Sequence, residues 1–217
     1  MSIADNIYTF RQAIPENVSL VAVSKTKPTS DIQAAYNAGQ RIFGENKIQE
    51  MTDKWELLPK DIEWHMIGHV QTNKVKYMIP YVSLIHAVDR MKLLKEINKQ
   101  AQQHKRKVDV LVQVKIAKED SKFGMPVPEV ITLFESDQLA AYPYINVKGL
   151  MGMATFTDDL SQVQTEFKLL ESLFNRFRES ANLNILSMGM SGDFELAIEC
   201  GSTMVRVGSA IFGARNY

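Results

Sequence analysis

The sequence predicts an α/β protein built on a parallel sheet, and three observations predict it. Short apolar runs rich in β-branched residues recur along the chain, amphipathic helical stripes separate them, and no Pro/Gly/Ser-rich linker interrupts the alternation. Runs of this kind mark strands buried on both faces.

The elements follow in order. Ile3, Ile7, Phe10 and Ile14 fall at spacings of four, three and four, one face of an N-terminal helix ended by Pro15. The period then changes at VSLVAV (Val18 to Val23). Strands are expected at Leu20–Val23, Arg41–Phe43, Trp64–Ile67, Leu84–Ala87, Val108–Val114, Asn146–Leu150, Leu183–Ser187 and Met204–Val207. Between them, Ile48, Met51, Trp55 and Leu58 form one helical stripe, and Leu160, Val163, Phe167, Leu170, Phe174 and Phe177 form a longer one. Asp89 is expected to cap the helix that carries Met91, Leu94, Ile97 and Ala101. About eight strands joined by right-handed crossovers fit a closed (β/α) barrel, and periodicity alone leaves a doubly wound open sheet equally open.

Composition narrows the function classes. The 217 residues carry 25 Lys plus Arg against 25 Asp plus Glu, a formal net charge of zero, which argues against nucleic-acid binding by global positive charge. One cysteine, Cys200, excludes an intramolecular disulfide and fits a reducing compartment. No apolar stretch is long enough for a membrane span and the N-terminus does not resemble a secretory signal, so a cytoplasmic protein is expected. His65, His69, His86 and His104 lack metal-ligand spacing. His65 is expected to be a hydrogen-bonded barrel residue and Cys200 a small buried side chain. The basic run His104 to Lys107 is expected to be a solvated helix end.

In either α/β architecture ligands bind at the carboxyl ends of the strands. Lys25 follows the first apolar run. Apolar surroundings there would lower the pKa of its amine and make it a nucleophile toward an aldehyde, whereas a lysine simply leaving the strand would be solvated. Ser191 and Gly192 are expected to open a helix after the seventh strand. Gly208 and Ser209 are placed to do the same after the eighth. Backbone N–H groups and hydroxyls on these two consecutive loops suit a phosphate; the alternative is that they are turn glycines and helix caps. Arg206 sits inside the last apolar run, where its guanidinium requires a buried carboxylate or a ligand acceptor.

The pieces AVSKTKP, GENKIQE, WHMIGHVQTNK, HAVD, LMGM and LSMGMSGDFELAIECGSTMVRVGSAIFGARNY occur in order over almost the whole chain. Together they resemble the YggS/PROSC family of pyridoxal 5′-phosphate (PLP) homeostasis proteins. The resemblance implies a single (β/α)8 barrel over residues 1–217, like the alanine racemase N-terminal domain with an extra N-terminal helix. It further implies PLP held as a Schiff base on Lys25. Ser191, Gly208 and Ser209 would hold the phosphate, Arg206 would face the pyridine nitrogen, and Asn46 would contact the cofactor face. Lys115, Ala87 and Lys47 depart from the family pattern. Lys115 places a second amine near the barrel mouth.

The expected role is to bind, buffer and deliver PLP, with PLP-dependent apo-enzymes as recipients and a monomer as the working state. An arginine beside the pyridine nitrogen cannot keep it protonated, which disfavours carbanion chemistry. The alternative is a low-efficiency PLP-dependent amino-acid racemase. Alanine racemases share the arginine but add a tyrosine from a second domain, and this chain ends at Tyr217, soon after the barrel is expected to close. A barrel enzyme acting on a phosphorylated sugar through Lys25 ranks lower.

Overall fold

Strand β1 (Ser19–Val23) is the strand expected at VSLVAV, lengthened by one residue, with its three central residues buried. In the computed structural model of the protein, which describes residues 2–119 and 123–213, seven further strands follow. They are β2 (Ile42–Glu45), β3 (Glu63–Met66), β4 (Leu84–Val88), β5 (Val108–Gln113), β6 (Ile145–Met151), β7 (Ile185–Ser187) and β8 (Met204–Val207). All pair in parallel and in sequence order, and β1 closes on β8 with Val21 opposite Arg206, so the sheet is a closed barrel. That pairing selects the barrel over the open sheet, which would have left two strands with an unpaired edge.

The helices are α1 (Ile3–Ala13), α2 (Thr29–Asn37), α3 (Ile48–Leu57), α4 (Val75–Met78), α5 (Met91–Gln103), α6 (Val127–Glu135), α7 (Leu160–Phe177), α8 (Phe194–Glu199) and α9 (Ser209–Phe212). A reciprocal capping box between Ser2 and Asp5 starts α1. This extra helix packs beside α2 and α9, where the Asn6 side-chain amide donates to the Ile211 carbonyl and Arg11 donates to the carbonyls of Ala38 and Gly39.

Apolar burial has two layers. Val21, Leu84, Leu111, Met151 and Met204 fill the barrel interior. The larger layer lies between strands and helices, and α7 contributes Val163, Phe167, Leu170, Phe174 and Phe177 to it. Each such side chain stabilises the fold by about 1.5–3 kcal/mol. Leu160, expected on the same stripe, is the first residue of α7 and is 62% exposed, so the buried stripe starts at Val163.

Two other local expectations are corrected. The N-cap of α5 is Arg90, in extended conformation and without a side-chain cap bond. Asp89 instead takes His69 Nδ1 at 3.1 Å and the Arg90 guanidinium. The basic run after α5 is only partly solvated, because Arg106 turns inward to donate to the carbonyls of Ile79 and Val82 at the end of α4.

Candidate functional site at the barrel mouth

The carboxyl ends of β7, β8 and β1 are adjacent around the barrel and carry most of the expected site residues. Lys25 lies in the turn after β1, half-buried and partnered. Ser191 and Gly208 meet: the Gly208 N–H donates to Ser191 Oγ at 3.3 Å, joining the loops after β7 and β8. Ser209 opens α9 with Gly208 as its N-cap. Ser191 and Gly192 do not open α8, whose N-cap is Asp193, and Asp193 Oδ1 instead accepts the Met190 N–H. The serine is thus committed to the neighbouring loop.

Asn46 follows β2, one strand further round, and its backbone lies against Gly68. A Cβ at Gly68 would come within 2.4 Å of the Asn46 carbonyl oxygen and 2.6 Å of its Cα. Glycine at that position lets the loops after β2 and β3 touch.

Arg206 is 4% exposed and points into the barrel. Its Nη1 donates to Ser187 Oγ at 2.6 Å and its Nη2 to the Gly152 carbonyl at 3.0 Å. Of the two partners that the sequence left open, a buried carboxylate or a ligand, neither holds these nitrogens: a hydroxyl and a carbonyl do. A guanidinium has no acceptor, so Ser187 must spend its single hydrogen elsewhere, and His86 Nδ1 lies 3.1 Å away. Among the described residues that hydroxyl hydrogen has no other acceptor within hydrogen-bond distance, so the nitrogen accepts it. His86 Nε2 then carries the hydrogen and donates to His65 Nδ1 at 3.0 Å. The cation at one end thus sets both imidazole tautomers along the line Arg206, Ser187, His86, His65.

Electrostatics agree with this line. Burial pushes the His65 imidazole down to about 3. Burial first, then the neighbouring His65 and Arg206, hold His86 well below the usual histidine range. Burial also lowers Arg206 to about 10, countered by Asp193, which leaves it a cation at neutral pH. His65 is the hydrogen-bonded barrel residue expected from the sequence, whereas the line as a unit is not among the expectations. Its signal was present, since His65, His86 and Arg206 are each a polar residue inside an apolar run.

A pH prediction follows from the histidines. Unfolded imidazoles gain a proton below about 6.5, whereas the folded His65 resists until about 3. Its contribution is therefore fully present above about 6.5 and is lost as pH falls below it, by about 2 kcal/mol between pH 7 and pH 5. His65→Leu is expected to lower stability at pH 7 yet flatten that fall by about the same 2 kcal/mol. Urea unfolding at a series of pH values measures it, and equal slopes in the two proteins would refute the neutral assignment.

Other side chains around the barrel lie as follows. Cys200 is buried and unpaired. Met151 fills the barrel interior, while Met188 packs in the helix-facing layer. Lys115 is half-buried and partnered beyond β5. No group of three or more potential metal ligands occurs among the described residues, and no described helix is long and apolar enough to cross a membrane.

This geometry can be set beside known proteins. The family described as "Alanine racemase, N-terminal domain" matches residues 1–216. A pyridoxal phosphate homeostasis protein of Pasteurella multocida is 40% identical over 233 aligned positions, covering 100% of this chain and 99% of the relative. PipY of Synechococcus elongatus, solved without PLP, superposes with a TM-score of 0.92 at 33% identity, over 98% of this chain and 100% of PipY. The same protein solved with PLP bound gives 0.88, at the same identity and coverage. On this fold and these relatives, the chain belongs to the family of the pyridoxal phosphate homeostasis proteins, within the alanine racemase N-terminal domain family.

Proposed function

We propose that the protein binds PLP at the barrel mouth, stores it on Lys25 and releases it to PLP-dependent apo-enzymes. One observation carries the reading: an amine, a buried guanidinium and a joined pair of hydroxyl- and N–H-bearing loops lie at the ends of three adjacent strands. The cofactor's chemistry requires that donor set. PLP homeostasis proteins among the relatives and a PLP-bound PipY support it.

When bound, PLP supplies a reactive aldehyde and an electron-withdrawing ring. Lys25 is the amine that would bond to the aldehyde carbon, with the aldehyde oxygen leaving as water. Ser191, Gly208 and Ser209 hold the phosphate. The 3.3 Å bond between Gly208 N–H and Ser191 Oγ is weak enough for a phosphate oxygen to replace it and recruit both groups. Asn46 contacts the ring face.

Arg206, fixed by Ser187 and Gly152, would face the pyridine nitrogen. It offers only N–H donors and so does not keep that nitrogen protonated. A weak electron sink suits storage better than carbanion chemistry. The proposal includes a cytoplasmic location, a monomeric state and one domain over residues 1–217.

The test is titration of purified protein with PLP, followed by mixing with the apo form of a PLP enzyme. Stoichiometric growth of a visible absorption band, fixed by borohydride, and recovery of activity in the apo-enzyme are expected. Absence of the band would overturn the proposal.

A further inference from the structure

Lys25 is flanked by two residues that one largely buried ionic cluster holds. The Lys54 ammonium, on the inner face of α3, donates to the Ser24 carbonyl at 2.8 Å, to Glu45 Oε1 at 2.7 Å and to Glu50 Oε1 at 2.7 Å. These bonds use all three of its donors. Ser24 Oγ donates to the same Glu45 oxygen at 2.6 Å, and the Thr26 N–H donates to Glu50 Oε1 at 2.5 Å. The residue before Lys25 is thus held through its carbonyl and hydroxyl, and the residue after it through its amide.

The arrangement is costly to build. The Lys54 side chain is 7% exposed and that of Glu45 0%. Glu45 Oε2 has no hydrogen-bond partner among the described residues. Burial raises the Glu45 carboxyl to about 7, with Lys54 opposing the rise. Thr26 adopts φ +64°, a left-handed conformation unfavourable for a β-branched residue. Strain of this kind persists only where the surroundings over-determine it, and it clusters at functional sites. A surface turn with no task beyond connecting β1 to α2 would need neither the strain nor a buried ion pair, since buried pairs seldom improve stability over apolar packing.

We propose that Lys54, Glu45 and Glu50 are positioning residues that fix the turn Ser24–Lys25–Thr26 and thereby aim the Lys25 amine at the aldehyde. The proposal rests on the PLP reading for its function, and on the turn alone for its geometry. Lys54 does not compete as an acceptor, because its amine is fully bonded.

The experiment compares wild type, Glu50→Ala and Glu50→Gln. The Glu50 side chain is partly exposed, so these variants are expected to fold, whereas Lys54→Met removes the partner of the buried Glu45 carboxyl and is a poor sole test. Three quantities are read: hydrogen exchange of the Thr26 amide, the rate at which PLP is captured, and affinity for 4′-deoxypyridoxine 5′-phosphate, which lacks the aldehyde. Glu50→Ala is expected to speed Thr26 exchange and slow capture about tenfold, with analogue affinity within about twofold of wild type. Glu50→Gln keeps an acceptor and restores capture. A merely structural role would change capture and analogue affinity together. Unchanged Thr26 exchange, or unchanged capture in Glu50→Ala, overturns the proposal. If wild type itself captures no PLP, the cofactor reading fails, and Thr26 exchange still decides whether the brace holds the turn.

Discussion

Lys25→Ala is expected to leave the barrel folded while removing the visible absorption band and the borohydride-stable adduct. The side chain lies in a half-buried turn and outside both apolar layers, so truncation creates no core cavity. Stability should stay within about 1 kcal/mol of wild type, as for changes away from packed sites. Ligand binding responds differently. Ser191, Gly208, Ser209 and Arg206 remain, so the phosphate and ring keep their contacts, and the loss is confined to the covalent link. PLP affinity should fall about 100-fold or more, equivalent to about 3 kcal/mol. Affinity for the aldehyde-free analogue should hardly change. Peptide mapping after borohydride supplies the sharper reading: modification of Lys25 in wild type and of no lysine in the variant. An adduct of equal yield on Lys115 would show that the second amine is the true acceptor and would overturn the Lys25 assignment.

The fold was largely legible because each strand is a short apolar run and each crossover a helical stripe. All eight expected strands occur, with no end displaced by more than two residues. The choice between barrel and open sheet was not legible. It depends on the pairing of Ser19–Ala22 with Met204–Val207, a contact across almost the whole chain that leaves no local trace. The site was legible where a residue broke its surroundings, as Arg206 does between two valines. His65 and His86 carry the same signal, but a search for metal-ligand spacing does not detect a hydrogen-bonded line between strands. Lys54 was illegible for the opposite reason. A lysine in an amphipathic helix reads as solvated, and only the crossing of α3 over the turn after β1 places its ammonium among Ser24, Glu45 and Glu50. Asp89 looked like a cap because it precedes a helix, yet His69 and Arg90 satisfy it instead.

Gly149→Ala is expected to have the largest effect on stability. Gly149 lies in β6 opposite Ile185 of β7, at the point where the register with β5 shifts between Val110 and Leu111. A Cβ there would sit 1.7 Å from the Ile185 carbonyl oxygen and 2.6 Å from its carbonyl carbon. Both are backbone atoms, so no rotamer change relieves the overlap, and the two strands must separate. Overpacking against movable side chains costs about 1–3 kcal/mol; against a fixed strand the upper end or beyond applies, about 3 kcal/mol or more. The strain also falls on the site. Gly152, whose carbonyl holds Arg206, is three residues further along the chain, and Ser187, the other holder, is two residues beyond Ile185. Parting β6 from β7 therefore moves both groups that fix the guanidinium. Urea unfolding should give a midpoint lowered in proportion to this loss. Any folded fraction should bind the aldehyde-free analogue more weakly than wild type, because Arg206 is no longer held. A stable Gly149→Ala protein with wild-type analogue affinity would show that β6 and β7 do not approach this closely.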